Sequence, residues 1–230
     1  MTTSGTYTFN PTLGELVLNA FARCGVRRTA LVQEHMQDAR LETNFMLSSW
    51  SNRGVNLWKV DTQSVPLIQG QSTYTVPSNT IMMLDAYIST GSGQSEFDRV
   101  ILPISRTEYA YTPNKNLQAP PTVFWFDRLI NPTVTVWPVP DQTGYYTLTY
   151  YRVIQVQDAN YENGQTVDIP YRWFDAFAAG LAARLAAIYA PERTQLLEPK
   201  AEAAYMIAAT QDTENVPMYL TPGLSNYYRM

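Results

Sequence analysis

The pattern of apolar and polar positions predicts two helices in the first part of the chain. Thr12 followed three residues later by Glu15 is a capping-box pattern. The helix that it begins ends near Gly25, and its apolar stripe consists of Leu13, Leu16, Val17, Ala20, Phe21 and Cys24. A second helix is predicted over residues 31–50. Its stripe consists of Val32, Met36, Ala39, Met46 and Trp50.

Residues 57–169 have the pattern of strands and turns. Short runs of Val, Ile, Thr, Tyr and Phe are separated by Gly, Pro, Asn and Asp, which is typical of a β-rich block. The clearest predicted strands cover residues 72–76, 82–89, 99–104, 122–127, 133–137 and 145–156. The last of these carries large side chains at odd and even positions alike, so we expect it to be covered on both faces.

The helical period returns after Pro170. A third helix is predicted over residues 171–190, with an apolar face made of Phe174, Phe177, Ala178, Leu181, Leu185 and Ile188. Pro191 breaks this helix. A fourth helix then runs to about Thr213, with a stripe made of Ala201, Ala204, Tyr205 and Ala208.

This order of elements predicts an α+β fold. Neither pair of helices can bury its apolar stripes alone, so we expect the N- and C-terminal pairs to form one four-helix bundle. The bundle domain would comprise residues 1–56 and 170–213. Residues 57–169 would form a large antiparallel β domain inserted into it.

Residues 214–230 are predicted to form a C-terminal docking arm. The segment breaks the helical period at Pro217, Pro222 and Gly223, yet it is rich in Met, Leu and Tyr, whereas a merely disordered tail would be more polar. The alternative is that it packs across its own domain. The candidate partner-binding residues are Val216, Pro217, Met218, Tyr219, Leu220, Tyr227, Tyr228 and Arg229.

Composition and charge limit the classes of function. The chain has 230 residues, 45% of them hydrophobic, which suits one well-buried core or a main domain with an insertion. Its 16 basic and 20 acidic residues leave a net charge of -4, which argues against a surface built to grip nucleic acid. No stretch is apolar enough to span a bilayer, so we expect no membrane association. The single cysteine fits a protein made in a reducing cytoplasm.

Candidate catalytic groups are few. The single histidine, His35, lies within a predicted helix, and Cys24 lies on an apolar helix face. We interpret both as structural, because neither has a partner of the kind that nucleophilic catalysis needs. Residues 158–164 resemble a calcium loop, but Ile169 stands where that loop needs a bidentate carboxylate. We therefore predict no enzyme activity, no cofactor and no metal.

Two aromatic features have alternative interpretations. Residues 137–141, Trp-Pro-Val-Pro-Asp, can be a proline-rich ligand or a strand that ends in a rigid turn. The turn is favoured, because a hairpin connection follows. The tyrosines near residue 150 can form a sugar-stacking platform or a protein interface. The interface is favoured, and a carbohydrate-binding or adhesin module is the alternative function.

Several short motifs occur in an order that resembles a known family. They are Tyr74-Thr-Val-Pro77, Pro103-Ile-Ser105 with Glu108-Tyr109, Pro121-Thr-Val-Phe-Trp-Phe-Asp127, Val136-Trp-Pro-Val-Pro-Asp141, and Asp168-Ile-Pro170 before an alanine-rich helix. In this succession, which covers nearly the whole chain, the sequence resembles the head-to-tail adaptor proteins of short-tailed phages, the tail tubular protein A group. It departs from the family pattern at Ala119-Pro120-Pro121, where related sequences often place a glycine before the proline.

The resemblance implies a structural virion protein at the head-tail junction, assembled in the host cytoplasm. Such proteins self-associate into a ring of about twelve copies beneath the portal protein. The ring continues the channel for the genomic DNA without binding it tightly, and tail nozzle or tail fibre proteins attach below. In this family the C-terminal arm reaches into the portal ring, which agrees with the interpretation of residues 214–230. The alternative is an adhesin module of a phage tail.

Overall fold

The computed structural model describes residues 3–54, 57–91, 96–160 and 164–213, and it confirms a mixed α+β fold. The helices are α1 (Leu13–Cys24), α2 (Gln33–Ser51), α3 (Arg106–Tyr111), α4 (Phe174–Tyr189) and α5 (Pro191–Gln211). The strands are β1 (Val60–Pro66), β2 (Thr73–Thr75), β3 (Thr80–Thr90), β4 (Phe97–Pro103), β5 (Val123–Asp127), β6 (Thr133–Trp137) and β7 (Tyr146–Ile154). In no helix of the described ranges is an apolar stretch long enough to cross a membrane.

Local signals set the ends of the first and last helices. The backbone NH of Glu15 donates to Thr12 Oγ1 at 3.3 Å, and the backbone NH of Thr12 donates to Glu15 Oε2 at 2.8 Å. The predicted capping box is therefore formed. Gly25 ends α1 at a φ of 85°, a left-handed conformation that favours glycine. Pro191 is the first residue of α5, where a missing backbone NH costs no intrahelical hydrogen bond.

A helical core is shared by α1, α2, α4 and α5, and α4 lies at its centre. Gly180 lets α2 approach α4 closely, since a Cβ built on this glycine would lie only 2.7 Å from Met46 Sδ of α2. Helices from the two ends of the chain thus bury most of their stripes together, but Val32, which precedes α2, and Ile188 of α4 are exposed. The four-helix bundle itself is not confirmed, because in the described residues the extensive contacts of these helices are with α4, while α2 and α5 meet through single side chains such as Trp50 and Tyr205.

The described strands form a seven-stranded sheet in the order β1-β7-β3-β4-β5-β6-β2. Most neighbouring strands are antiparallel, but Leu102 of β4 pairs with Val123 of β5 in the parallel direction. The prediction of an antiparallel β domain is wrong at this pair. A parallel pair needs a long crossover between its strands, and here the connection contains α3.

The sheet curls around a second cluster of buried residues, the sheet core. Tyr74 of β2 and Leu148 of β7 belong to this cluster although their strands are far apart in the sheet order. The hydroxyl of Tyr74 donates to the carbonyl of Gln71 at 2.9 Å and accepts the backbone NH of Ile68 at 2.9 Å. These bonds fold the β1–β2 connection back over the edge of the core.

Two elements, β1 and α3, have no counterpart in the sequence prediction. β1 is a half-buried edge strand whose sequence contains only two valines among polar residues. α3 is a helix of six residues with its own capping box, in which the backbone NH of Glu108 donates to Ser105 Oγ at 3.1 Å. The division into a bundle domain, an inserted β domain and an arm stays a prediction.

An ion pair joins chain segments that pass between the two cores. Lys59, just before β1, is only 6% exposed, and its Nζ donates to Asp168 Oδ2 at 2.5 Å. The same carboxylate oxygen accepts the backbone NH of Gln157 at 3.0 Å. Because Gln157 follows β7 and Asp168 precedes α4, this carboxylate fixes the connections of the helices to the sheet.

Candidate interaction surfaces

The two candidate catalytic groups make structural contacts. The ring of His35 stacks on that of Tyr189 with centroids 4.5 Å apart, and its Nδ1 accepts the backbone NH of Val32 at 3.4 Å. Cys24 is buried and its Sγ donates to the carbonyl of Ala182 at 3.1 Å. Burial raises the pKa of this thiol to about 11, which disfavours the reactive thiolate. Within the described residues, no cluster of His, Cys, Asp and Glu side chains could hold a metal ion.

The aromatic features predicted from the sequence are mostly part of the fold. Trp137 ends β6, and its Nε1 donates to the carbonyl of Asn114 at 3.0 Å. The backbone NH of Val139 donates to the carbonyl of Leu117 at 2.8 Å, and its carbonyl accepts from Ala119 at 2.9 Å. The proline-rich segment is therefore held along its backbone by a neighbouring loop, as the turn interpretation expects.

The tyrosines of β7, together with Tyr145 just before it, do not form a continuous exposed surface. Tyr146 and Tyr150 are buried in the sheet core, and Tyr145 and Tyr151 are exposed. The two exposed tyrosines are six positions apart along the chain, which corresponds to about 20 Å along a strand. A platform that stacks one sugar ring between neighbouring tyrosines is not formed by this pair.

The predicted docking arm lies outside the described residues, but the residues just before it, up to residue 213, are described. The candidate partner-binding residues of the arm are Val216, Pro217, Met218, Tyr219, Leu220, Tyr227, Tyr228 and Arg229. Just after α5, the buried carboxylate of Asp212 forms an ion pair with Arg172. Asp212 Oδ2 also accepts the backbone NH of Leu57 at 3.1 Å. The end of α5 is thus fixed to the segments that precede α4 and β1.

Helix α5 is apolar on two opposite sides. Its inner side packs on the helical core through Thr194, Leu197, Ala201, Tyr205 and Ala208. On the opposite side, Leu196, Met206 and Ile207 are 60%, 55% and 70% exposed. We call this side the α5 outer stripe, which consists of Leu196, Pro199, Ala203, Met206, Ile207 and Thr210. Apolar residues on both sides are typical of a helix that is covered on both sides.

Helix α2 carries a smaller exposed apolar surface. Leu41 and Phe45 lie one turn apart and are 48% and 57% exposed, on the side opposite the helical core. We call this pair the α2 outer patch. Between α2 and α5 lies a groove of about 320 Å³ over Gly180. Arg53 at the end of α2 spans it, donating to Glu202 of α5 at 2.8 Å.

The outer face of the sheet also exposes apolar side chains. Val100 and Leu102 of β4 are exposed there, and the nearby ring of Trp125 stacks on Tyr109 of α3 with centroids 5.5 Å apart. At the turn between β5 and β6, Leu129 and Ile130 are exposed as well. The described part of the molecule thus has apolar contact surfaces on both its helices and its sheet. Sequence reasoning identified none of them, because a second apolar face gives no periodic contrast.

Comparison with protein families identifies the chain. The model of the family described as SU10 adaptor protein matches residues 12–221, from the N-cap of α1 through both helix pairs and the whole sheet. Among curated proteins, the comparison gives no match. The prediction of a phage adaptor, a structural component of the virion, is confirmed at this level, and the narrower resemblance to tail tubular protein A stays a prediction. This chain belongs to the SU10 adaptor protein family.

Proposed function

We propose that this protein is a head-to-tail adaptor that assembles as a ring beneath the portal, extends the DNA channel and provides the attachment platform for the tail. The family match over residues 12–221 carries the proposal. A ring closes when one surface of each subunit binds a different surface of the next. The α5 outer stripe and the α2 outer patch are two such surfaces on different helices, and they support self-association into a ring, with twelve copies as the expected number.

The portal is the proposed partner of residues 214–230. Asp212, two residues before this segment, is held to the fold by Arg172 and by the backbone NH of Leu57. Ordering a free chain costs about 1–2 kcal/mol for each fixed residue. Burial of apolar and aromatic side chains against the portal would offset this cost. The side chains in question are Met218, Tyr219, Leu220, Tyr227 and Tyr228.

Tail nozzle or tail fibre proteins are the proposed partners on the side of the sheet. Exposed apolar residues at the β5–β6 turn and on β4 support this assignment, since contact surfaces of this kind mark protein interfaces. The genome would pass through the ring without tight binding, because the chain has a net charge of -4 and attraction to every phosphate would slow its movement. We place the protein in the virion and its assembly in the host cytoplasm.

Electron microscopy of the chain mixed with its cognate portal tests the proposal. We expect an added ring at the narrow end of the portal. A variant truncated after Asn215 keeps the Asp212 contacts and should stay folded but no longer join the portal. As a control within the same segment, Thr221, Ser225 and Asn226 are replaced by alanine, and this variant should bind normally. Undiminished portal binding by the truncated chain would refute the role of the arm, and no ring with the full chain would refute the proposed function.

A further inference from the structure

We propose that the α5 outer stripe of one subunit packs antiparallel on the α2 outer patch of a second copy, and that this contact repeats around the ring. The inference rests on the proposed function and assigns the surfaces that hold the ring together. It starts from the exposure of Ile207 and Leu196 on α5 and of Phe45 on α2. Large apolar side chains in continuous exposed stripes mark sites that are covered in an assembly.

Each subunit carries one copy of each surface, on different helices. α2 and α5 both contact α4, and they lie on the two sides of the groove over Gly180. When the stripe of one copy covers the patch of the next, that next copy still presents its own stripe. The contact is therefore heterologous and propagates until it closes, as a ring requires, whereas a self-complementary surface would stop at a dimer.

Charged residues lie along both edges of the α5 outer stripe. At a rotation of about 100° per residue, Glu198 and Glu202 flank the stripe on one edge, and Arg193 and Lys200 flank it on the other. Glu202 lies towards α2 of its own subunit, where it pairs with Arg53. We call these the acidic and the basic edge of α5. The order of charge across the stripe is thus acidic, apolar, basic.

The α2 outer patch has the opposite order when both helices are seen from outside with their amino termini at the top. In this view Arg40 lies on the same side as the acidic edge of α5, and Asp38 and Glu42 lie on the same side as the basic edge. Within their own subunit, Glu42 pairs with Arg184 and Asp38 accepts a hydrogen bond from the hydroxyl of Tyr189. When two helices pack face to face, the right side of one meets the right side of the other only if the helices run antiparallel. In that orientation each edge of α5 meets the opposite charge of α2, and in a parallel orientation like charges would meet.

The charges also indicate the register. An antiparallel packing that places Arg40 level with the gap between Glu198 and Glu202 sets Phe45 opposite Leu196, because both helices rise about 1.5 Å per residue. In the same register the apolar part of α5 near its end, Ile207, lies opposite the first turn of α2. Leu41 then lies level with Pro199 of the stripe.

Disulfide trapping in portal-bound rings tests both the contact and its direction. Phe45→Cys combined with Leu196→Cys, and Glu34→Cys combined with Ile207→Cys, place thiols at facing levels in the antiparallel packing. All four positions are exposed. The exchanged pairs, Phe45→Cys with Ile207→Cys and Glu34→Cys with Leu196→Cys, are matched controls, since they lie about 16 Å apart along the helices in this packing. A disulfide needs Cα atoms within about 7 Å.

We expect ladders of cross-linked chains up to the full ring for the two facing pairs, on a non-reducing gel, and none for the exchanged pairs. The natural Cys24 is buried and does not contribute. Ladders from the exchanged pairs alone would overturn the antiparallel direction, and a ring without any ladder would overturn the contact while the proposed function stands. If the unmodified chain forms no ring on the portal, the proposed function fails and this inference fails with it.

Discussion

The ion pair between Lys59 and Asp168 allows a prediction of how strongly the connections between the two cores are stabilised. Asp168→Asn keeps the shape of the side chain and removes its charge. Lys59 is 6% exposed, so its ammonium group would stay buried without a counter-charge. Breaking a buried pair in this way costs roughly 3–5 kcal/mol. We expect about 3 kcal/mol, the lower end, because the carboxylate side chain is 29% exposed to water.

A loss of this size is large against a total stability of about 5–15 kcal/mol. For a chain of this length it corresponds to a decrease in Tm of about 6–12 °C. Urea unfolding followed by tryptophan fluorescence provides the measurement, because Trp58 and Trp173 lie in the helical core with ring centroids 4.9 Å apart. The midpoint should decrease while the slope with urea stays constant, as expected when only stability changes.

Asp175→Asn is the matched control for this experiment. Asp175 accepts a hydrogen bond from Arg23 at 2.9 Å, but its side chain is 78% exposed. An exposed pair contributes about 1 kcal/mol or less, so this variant should unfold close to the parent. The double variant Lys59→Met/Asp168→Asn removes the buried charge as well and should recover part of the loss. Equal and small effects of Asp168→Asn and Asp175→Asn would refute the assignment of a buried, structural ion pair.

Two further predictions concern α1. The hydrogen bond from the backbone NH of Thr12 lowers the pKa of Glu15. The ionised carboxylate therefore stabilises α1 fully at pH values above the usual carboxyl pKa, and this contribution is lost as the pH falls through the lowered pKa. Thermal unfolding of Glu15→Gln should accordingly differ from the parent at neutral pH and converge with it in acid, and a constant difference would contradict this origin. Burial raises the pKa of Cys24 from 9.0 to about 11. At neutral pH the native thiol should therefore react with a disulfide reagent about a hundredfold more slowly than the thiol of the chain unfolded in urea. Equal rates would contradict the burial of this thiol.

The sequence was informative wherever apolar residues alternate with polar ones. The stripe from Leu13 to Cys24 identified α1 and its buried face, and the residues of that stripe are buried in the structure. The outer stripe of α5 was not predicted, because Leu196 and Ile207 recur with the same helical period as the residues of the inner side. With apolar residues on both sides, the sequence shows no contrast between an apolar and a polar face. Lys59 and Asp168 could not be paired from sequence, because 109 positions separate them and only the folded connections bring them together.

The parallel pairing of β4 with β5 illustrates a second limit. Strand propensity finds Val123 and its neighbours as a strand, but it carries no information on direction. Direction follows from the connection, and the connection here contains α3, a helix too short to give a periodic signal. The predicted docking arm is a different case, since its residues lie outside the described ranges and their role stays a proposal.

The contacts of Asp212 determine how a pull on the C-terminal segment would enter the fold. Tension that arrives after α5 meets Asp212 first, and from there it passes to Arg172 at the base of α4 and to Leu57 at the base of β1. Because two attachments share the load, it does not fall on the last turn of α5 alone. In the proposed joint between a pressurised head and its tail, the load on each subunit would therefore be divided between two attachments instead of falling on one.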